Sequence, residues 1–270
     1  MAISQLKDIA RNIRRDIIEM TYYAGSGHPG GSLSAADIMT VLYFDVMRHR
    51  PKDPDWKDRD RFFLSKGHAC PVLYASLAES GYFPKKLLKT FRHLNSILQG
   101  HPHRLKTPGV EMSSGSLGQG LSIAAGTALG LKMDGKNARV FCLMGDGELQ
   151  EGQIWEAAMA AGHFKLNNLV GIVDYNNLQI DGPVEKVMGL APLADKWKAF
   201  RWNVIEVDGQ DIYRVQKAFI KAGQSKTKPT VIIARTVKGQ GVSFMENQAG
   251  WHGKAPNKEE YLKALDELKN

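Results

Sequence analysis

Apolar residues at helical spacing open the chain. Leu6, Ile9, Ala10, Ile13, Ile17 and Met20 share one face, with Lys and Arg on the others, and predict an amphipathic helix. Ala24-Gly25-Ser26-Gly27-His28-Pro29-Gly30-Gly31 then reads as a loop, because glycines and a proline interrupt the pattern. A further helix is expected from a Ser34 cap through Met47, with Ile38, Val41, Leu42 and Asp45 on adjoining turns. Arg61 to Ser65 has strand character, followed by Lys66-Gly67-His68 and a helix from about Pro71 to Glu79. Pro84 suits the start of a short helix ending near Phe91. A small-residue loop, Ser113 to Gly120, opens an apolar helix reaching Leu131.

The most informative pattern lies between Arg139 and Asp181. Val140 to Met144 is a strand-length apolar run, and Gly145-Asp146-Gly147 a turn. Ile154, Ala157, Ala158, Ala161 and Phe164 share a helical face, and Leu169 to Val173 makes a second strand ending at Asp174-Tyr175-Asn176-Asn177. A right-handed β-α-β crossover puts both strand ends on one edge of a parallel sheet. Asp146 and Asn176, 30 positions apart, are thereby expected side by side. Farther on, Pro192 to Trp197 opens a short helix after a loop. Asn203 to Val207 and Thr230 to Ala234 read as strands around a helix marked by Ile212, Val215, Ala218, Phe219 and Ala222. Trp251-His252-Gly253 precedes a last helix, Lys258 to Lys269, capped near Asn257. The economical assembly is α/β: a mostly parallel, doubly wound sheet with helices on both faces.

Composition narrows the class without choosing a function. The 270 residues, 24% charged and 43% hydrophobic, suit a globular protein with one substantial core. No apolar run is long enough for a membrane helix, and the N-terminus lacks the apolar core of a secretory signal. Cys70 and Cys142, in apolar surroundings, read as buried free thiols of a cytoplasmic protein. The net charge of +8 is dispersed and carries no aromatic-basic RNA motif. It therefore points to phosphorylated small molecules or an acidic partner before nucleic acid.

Ligands of open α/β sheets bind at the carboxyl edge of the strands. There, one carboxylate and one amide oxygen suit Mg²⁺, which completes its octahedron with water and phosphate oxygens. The same residues also fit a capped βα turn followed by an ordinary Asn-Asn turn. His28, His68 and His101 stand in loops that could face this edge, as does Lys238 after the last strand. The His101-Pro102-His103 spacing lacks the further ligands of a zinc site. Gly130 to Asn137 is no Walker loop, because Asn follows the GK pair and a strand follows the motif instead of preceding it. Gly145 to Gln150 lacks the acidic residue of a nicotinamide fingerprint.

The words SGHPGG, SKGHA, QGHP, SSGSLGQGLS, GDGELQEGQIWEAA and WHGKAP, spread from Gly25 to Pro256, resemble transketolase. GDG followed by NN resembles the thiamine-diphosphate signature. The resemblance implies a single thiamine-diphosphate-binding domain over 1–270 that uses Mg²⁺. Asp146, Asn176 and the Leu178 carbonyl would hold the metal. His68, Gly115, Ser116, Leu117, Gly147, Asn176, Ile180, Lys238 and His252 would bind the cofactor, although the family usually has proline where Ser116 stands. His28, His101 and His252 would line the substrate channel and serve in proton transfer, and Glu151 and Glu156 would link two cofactor sites across a dimer. The second, pyrimidine-binding domain, which supplies the activating glutamate, is not found before Asn270. The resemblance thus implies the N-terminal half of a split transketolase, joined with a separate C-terminal subunit in a two-plus-two heterotetramer. It would move a two-carbon ketol unit between sugar phosphates, in pentose phosphate metabolism. Half of another thiamine enzyme (for an unusual ketose, deoxyxylulose phosphate synthesis or a 2-oxo acid) and a non-catalytic assembly protein remain open readings.

Overall fold

The computed structural model describes residues 1–269. In chain order the helices and strands are α1 (Ile3–Ala24), α2 (Pro29–Leu33), α3 (Ala36–Val41), β1 (Arg61–Leu64), α4 (Cys70–Glu79), α5 (Gln119–Met133), β2 (Val140–Gly145), α6 (Gly152–His163) and β3 (Leu169–Tyr175). The short strands β4 (Leu178–Gln179) and β5 (Gly182–Pro183) lead to α7 (Val184–Met188), α8 (Leu193–Ala199), β6 (Asn203–Asp208), α9 (Ile212–Ala222), β7 (Thr230–Arg235) and α10 (Lys258–Glu267). Five strands form one sheet in the order β1-β2-β3-β7-β6, and every pairing is parallel.

Alternation along the strands explains the layers. Phe62, Leu64, Phe141, Leu143, Val170, Ile172 and Ile232 enter one core with α1, α3, α4 and α9. Their neighbours Phe63, Val140, Cys142, Met144, Leu169, Val173, Val231 and Ile233 enter the other with α5, α6 and α8. Both faces are covered, as a parallel sheet requires. Among the described residues no helix is long and apolar enough to cross a membrane.

Three local expectations need correction. The Gly30-Gly31 segment is helical: Pro29 opens α2, where its fixed φ and missing N–H cost little. Ser34 therefore caps nothing; it lies between α2 and α3, and the expected helix to Met47 breaks into α3 and a π turn at Leu42–Val46. Phe164 follows the end of α6 and is 51% exposed, whereas Ile154, Ala157, Ala158 and Ala161 are buried. The face of α1 opposite the core is also less simple than periodicity suggests, because Arg14 is buried in an ion pair with Asp37 at 2.5 Å. The β4–β5 hairpin and α7 stand where only a loop was expected.

Candidate functional site

Four neighbouring strands deliver four polar side chains to one edge. β1 runs out into Lys66, β2 into Asp146, β3 into Asn176 and β7, after Thr236 and Val237, into Lys238. Pairing of Gly145 with Asp174 sets the β2–β3 register. Asp146, Asn176 and Leu178 consequently line the same cavity of about 320 Å³. His68, Leu117, Gly147, Glu151, Ile180, Lys238 and His252 also face it.

The Asp146 carboxylate is 3% exposed and accepts hydrogen bonds from the backbone N–H groups of Gly147, at 2.8 Å, and Asn177. Burial, and then the nearby Asp174 charge, push its pKa up to about 6. Asn176 is held in one amide orientation: its Nδ2 donates to Asp174 at 3.2 Å, while Oδ1 accepts from the Leu178 N–H at 3.1 Å. The Leu178 carbonyl accepts from Lys238 Nζ at 3.0 Å. A costly buried carboxylate, an amide oxygen and a carbonyl oxygen on one wall make a hard-oxygen donor set that fits Mg²⁺. Among the described residues no trio of His, Cys, Asp or Glu side chains competes with it as a metal centre.

Beneath this wall lies a buried ion pair absent from the sequence expectations. Asp174 accepts from Lys66 Nζ, Ser34 Oγ at 2.6 Å and Thr236 Oγ1 as well as from Asn176. Burial opposes its ionisation, but Lys66 and the hydroxyl donors outweigh it and hold the carboxyl below its ordinary range. Lys66 Nζ also donates to the Gly31 carbonyl at 2.7 Å, tying the glycine segment to the sheet edge.

Three imidazoles stand over the cavity. The ring centroids of His28 and His68 are 5.2 Å apart, those of His28 and His252 5.5 Å, and those of His68 and His252 5.0 Å. Burial is the main cause that lowers all three, aided by Arg92 at His28, Lys66 at His68 and Lys238 at His252. Their pKa values fall to about 4, about 2 and about 3 respectively. They are neutral at physiological pH. Lys238 Nζ lies 2.9 Å from His252 Nδ1, so the ammonium donates there and the imidazole proton resides on Nε2. Lys238 is itself buried, and that burial lowers its pKa to about 8.

The remaining expected residues lie farther out. His101 is exposed and stands beside the Gly115 backbone; a Cβ added to Gly115 would meet its ring at 3.3 Å. Gly115 and Ser116 are exposed on the rim. Glu156 does not enter the cavity. It lies in a separate groove of about 290 Å³ between α5 and α6. Besides Lys66 and Asp174, Glu148 was not singled out from sequence, although it follows the GDG turn and is 3% exposed. The signals were visible: a lysine immediately after a strand, a strand-terminal aspartate and an acid inside a glycine turn.

A family model described as transketolase, thiamine diphosphate binding domain, matches residues 5–268. One of the two subunits of an apulose-4-phosphate transketolase from Phocaeicola vulgatus is 42% identical over 268 residues, covering 99% of this chain and 95% of that protein. The 6-deoxy-6-sulfo-D-fructose transketolase subunit SqwG of Clostridium sp. is 43% identical, covering 97% of this chain and 96% of that protein. The crystal structure of transketolase from Campylobacter jejuni superposes with a TM-score of 0.94 at 37% identity, over 99% of this chain but only 43% of that one.

Proposed function

The chain belongs to the transketolase family, as a thiamine-diphosphate-binding domain, and from that premise we propose that it is the N-terminal subunit of a two-chain, Mg²⁺-dependent transketolase. The observation that carries this reading is the alignment of Lys66, Asp146, Asn176 and Lys238 at four adjacent strand ends above one cavity. Relatives of matching length are named as subunits, which supports a separate C-terminal chain supplying the activating glutamate.

Asp146, Asn176 and the Leu178 carbonyl would hold Mg²⁺, and the Gly147 backbone, His68, Lys238 and His252 the diphosphate. The bound thiamine ring supplies a stabilised carbanion equivalent for ketol transfer. The protein's own contribution is placement and proton handling. His252, with its proton fixed on Nε2, would donate to a substrate oxygen. His28 has a buried Nδ1 without a partner among the described residues and can accept or return a sugar hydroxyl proton. His101, on the rim, would meet the sugar chain. Gly115, Ser116, Leu117 and Ile180 would bound the ring end of the cofactor. Glu151 and Glu156 would meet a second copy, for which the exposed Ile123, Met159 and Phe164 near the α5–α6 groove offer apolar contact. The assembly would then be two N-terminal and two C-terminal chains. Buried, unbridged Cys70 and Cys142 favour the cytoplasm.

Transfer from xylulose 5-phosphate to ribose 5-phosphate, with thiamine diphosphate and Mg²⁺, tests this reading. Activity is expected only when the chain is combined with a C-terminal subunit, and comparable turnover by the chain alone overturns the split site. Because the relatives of matching length are named for apulose 4-phosphate and 6-deoxy-6-sulfofructose, the same pair should be offered both ketoses. A preference for either would place this chain in an unusual-ketose branch outside pentose phosphate metabolism.

A further inference from the structure

Glu148 is buried at the foot of the cavity, between two segments that are far apart in sequence. Its Oε1 accepts from the Gly118 N–H at 2.8 Å and from Ser65 Oγ, and its Oε2 accepts from the Gly145 N–H at 3.0 Å. Ser65 Oγ in turn accepts from the Gly120 N–H at 3.1 Å. One carboxylate thus joins the end of β1, the end of β2 and the entry to α5. The small-residue loop before α5 also lies on the turn after β1. A Cβ on Gly67 would come within 2.7 Å of Ser114 Oγ and 2.8 Å of the Gly115 nitrogen. Gly118 itself has φ +84°, a backbone state that glycine adopts readily.

We infer that Glu148 is a positioning residue that locks the loop Ser113 to Gly118 in register with the Gly145-Asp146-Gly147 turn, so that the two ends of one elongated ligand are read from a single rigid frame. All three partners are donors, and only an acceptor on both oxygens satisfies them. An amide at this position would point an N–H at another donor in either orientation. Burial raises the carboxyl's pKa, while Ser65, the two backbone N–H groups and Lys66 oppose that shift.

The consequence for ligand binding rests on the function proposed above; the clasp does not. Glu148→Gln and Ser65→Ala are to be made in the full chain and compared with wild type by hydrogen exchange, Mg²⁺-pyrophosphate binding and Mg²⁺-thiamine diphosphate binding. In Glu148→Gln, exchange over 113–120 should accelerate about tenfold or more, with the other strands unchanged. Affinity for thiamine diphosphate should fall about tenfold, while that for pyrophosphate stays within about twofold. Ser65→Ala keeps the carboxylate and should show the same pattern more weakly; it decides the matter if Glu148→Gln does not fold. Unchanged exchange over 113–120 overturns the clasp whatever the ligands do. Equal loss of both ligands overturns its selective action on the ring end. If the wild-type chain binds pyrophosphate but not thiamine diphosphate, the cofactor reading fails, and the exchange result still judges the clasp.

Discussion

The two ends of the site are built differently. Around Asp146 and Asn176 nearly every polar atom is buried and answered from within the chain, down to the Lys66–Asp174 pair beneath. Around Gly115, Ser116, Glu151 and Ile180 the surface is exposed, and Glu156 lies in a different depression altogether. One end is a finished receptor for a hydrated cation and its phosphates. The other is a rim awaiting another surface. A chain built this way can hold the charged half of a cofactor on its own terms, yet cannot enclose the reacting half.

The sharpest test strikes the finished end. Asp146→Ala removes the only carboxylate of the proposed metal wall, and a buried cation site does not tolerate that loss. Affinity for thiamine diphosphate at saturating Mg²⁺ should fall by about a thousandfold, on the order of 4 kcal/mol by titration calorimetry. Unchanged affinity would refute the metal assignment and with it the division into two ends.

Next in size is a gain in stability. Asp146 is buried, its pKa raised from 3.8 to about 6. An acid raised on folding binds more protons in the native state between those two values. Its contribution therefore favours the fold at low pH and is lost as pH rises through about 6. At pH 7 the metal-free chain carries the full penalty, on the order of 2–3 kcal/mol at 1.36 kcal/mol per unit. Asp146→Asn should accordingly raise the metal-free melting temperature at pH 7 and do so much less near pH 4. A variant melting at the wild-type temperature at both pH values would show that no such penalty is stored.

Smaller again is Lys238→Met, which removes the donor to the Leu178 carbonyl and to His252 Nδ1. Cofactor affinity should fall about tenfold, the ordinary worth of a charge-assisted hydrogen bond. The His252 tautomer loses its anchor, so turnover of the reconstituted pair should fall more than affinity does. Equal losses in the two would leave Lys238 a binding group only.

Much of this was legible in the chain, for identifiable reasons. The β2–α6–β3 unit announces itself by period, and Gly145 paired with Asp174 makes the adjacency of Asp146 and Asn176 follow from topology. The histidines were visible because each stands in a glycine-rich loop. What stayed hidden depends on three-dimensional partnering. Lys66 reads as a surface lysine until Asp174 is found opposite, and Ser34 reads as a helix cap until its hydroxyl is found on that same carboxylate. Glu148 looks like one more acid in a turn, because nothing in sequence places Gly118 beside it. The helical turn at Pro29–Leu33 was missed because glycine propensity was weighed without the packing that overrides it.

The smallest effect belongs to the unfinished end, and it tests the comparison from the opposite side. Glu156 is exposed on α6, beside Gln153, whose amide donates to Ser122 Oγ on α5 at 2.5 Å. It has no ion-pair partner among the described residues. An exposed carboxylate of this kind contributes little to the isolated fold, so Glu156→Gln should change unfolding free energy by no more than about 0.5 kcal/mol. Thiamine diphosphate affinity should remain within about twofold, since no buried donor loses its acceptor. Self-association is where the substitution should register: sedimentation should give a dimer dissociation constant shifted severalfold, with the monomer's melting curve unmoved. If cofactor affinity instead falls as far as it does in Lys238→Met, Glu156 acts on the finished end through the chain itself. The two ends would then be one coupled unit, and the rim would owe its shape to the cavity floor as much as to any second copy.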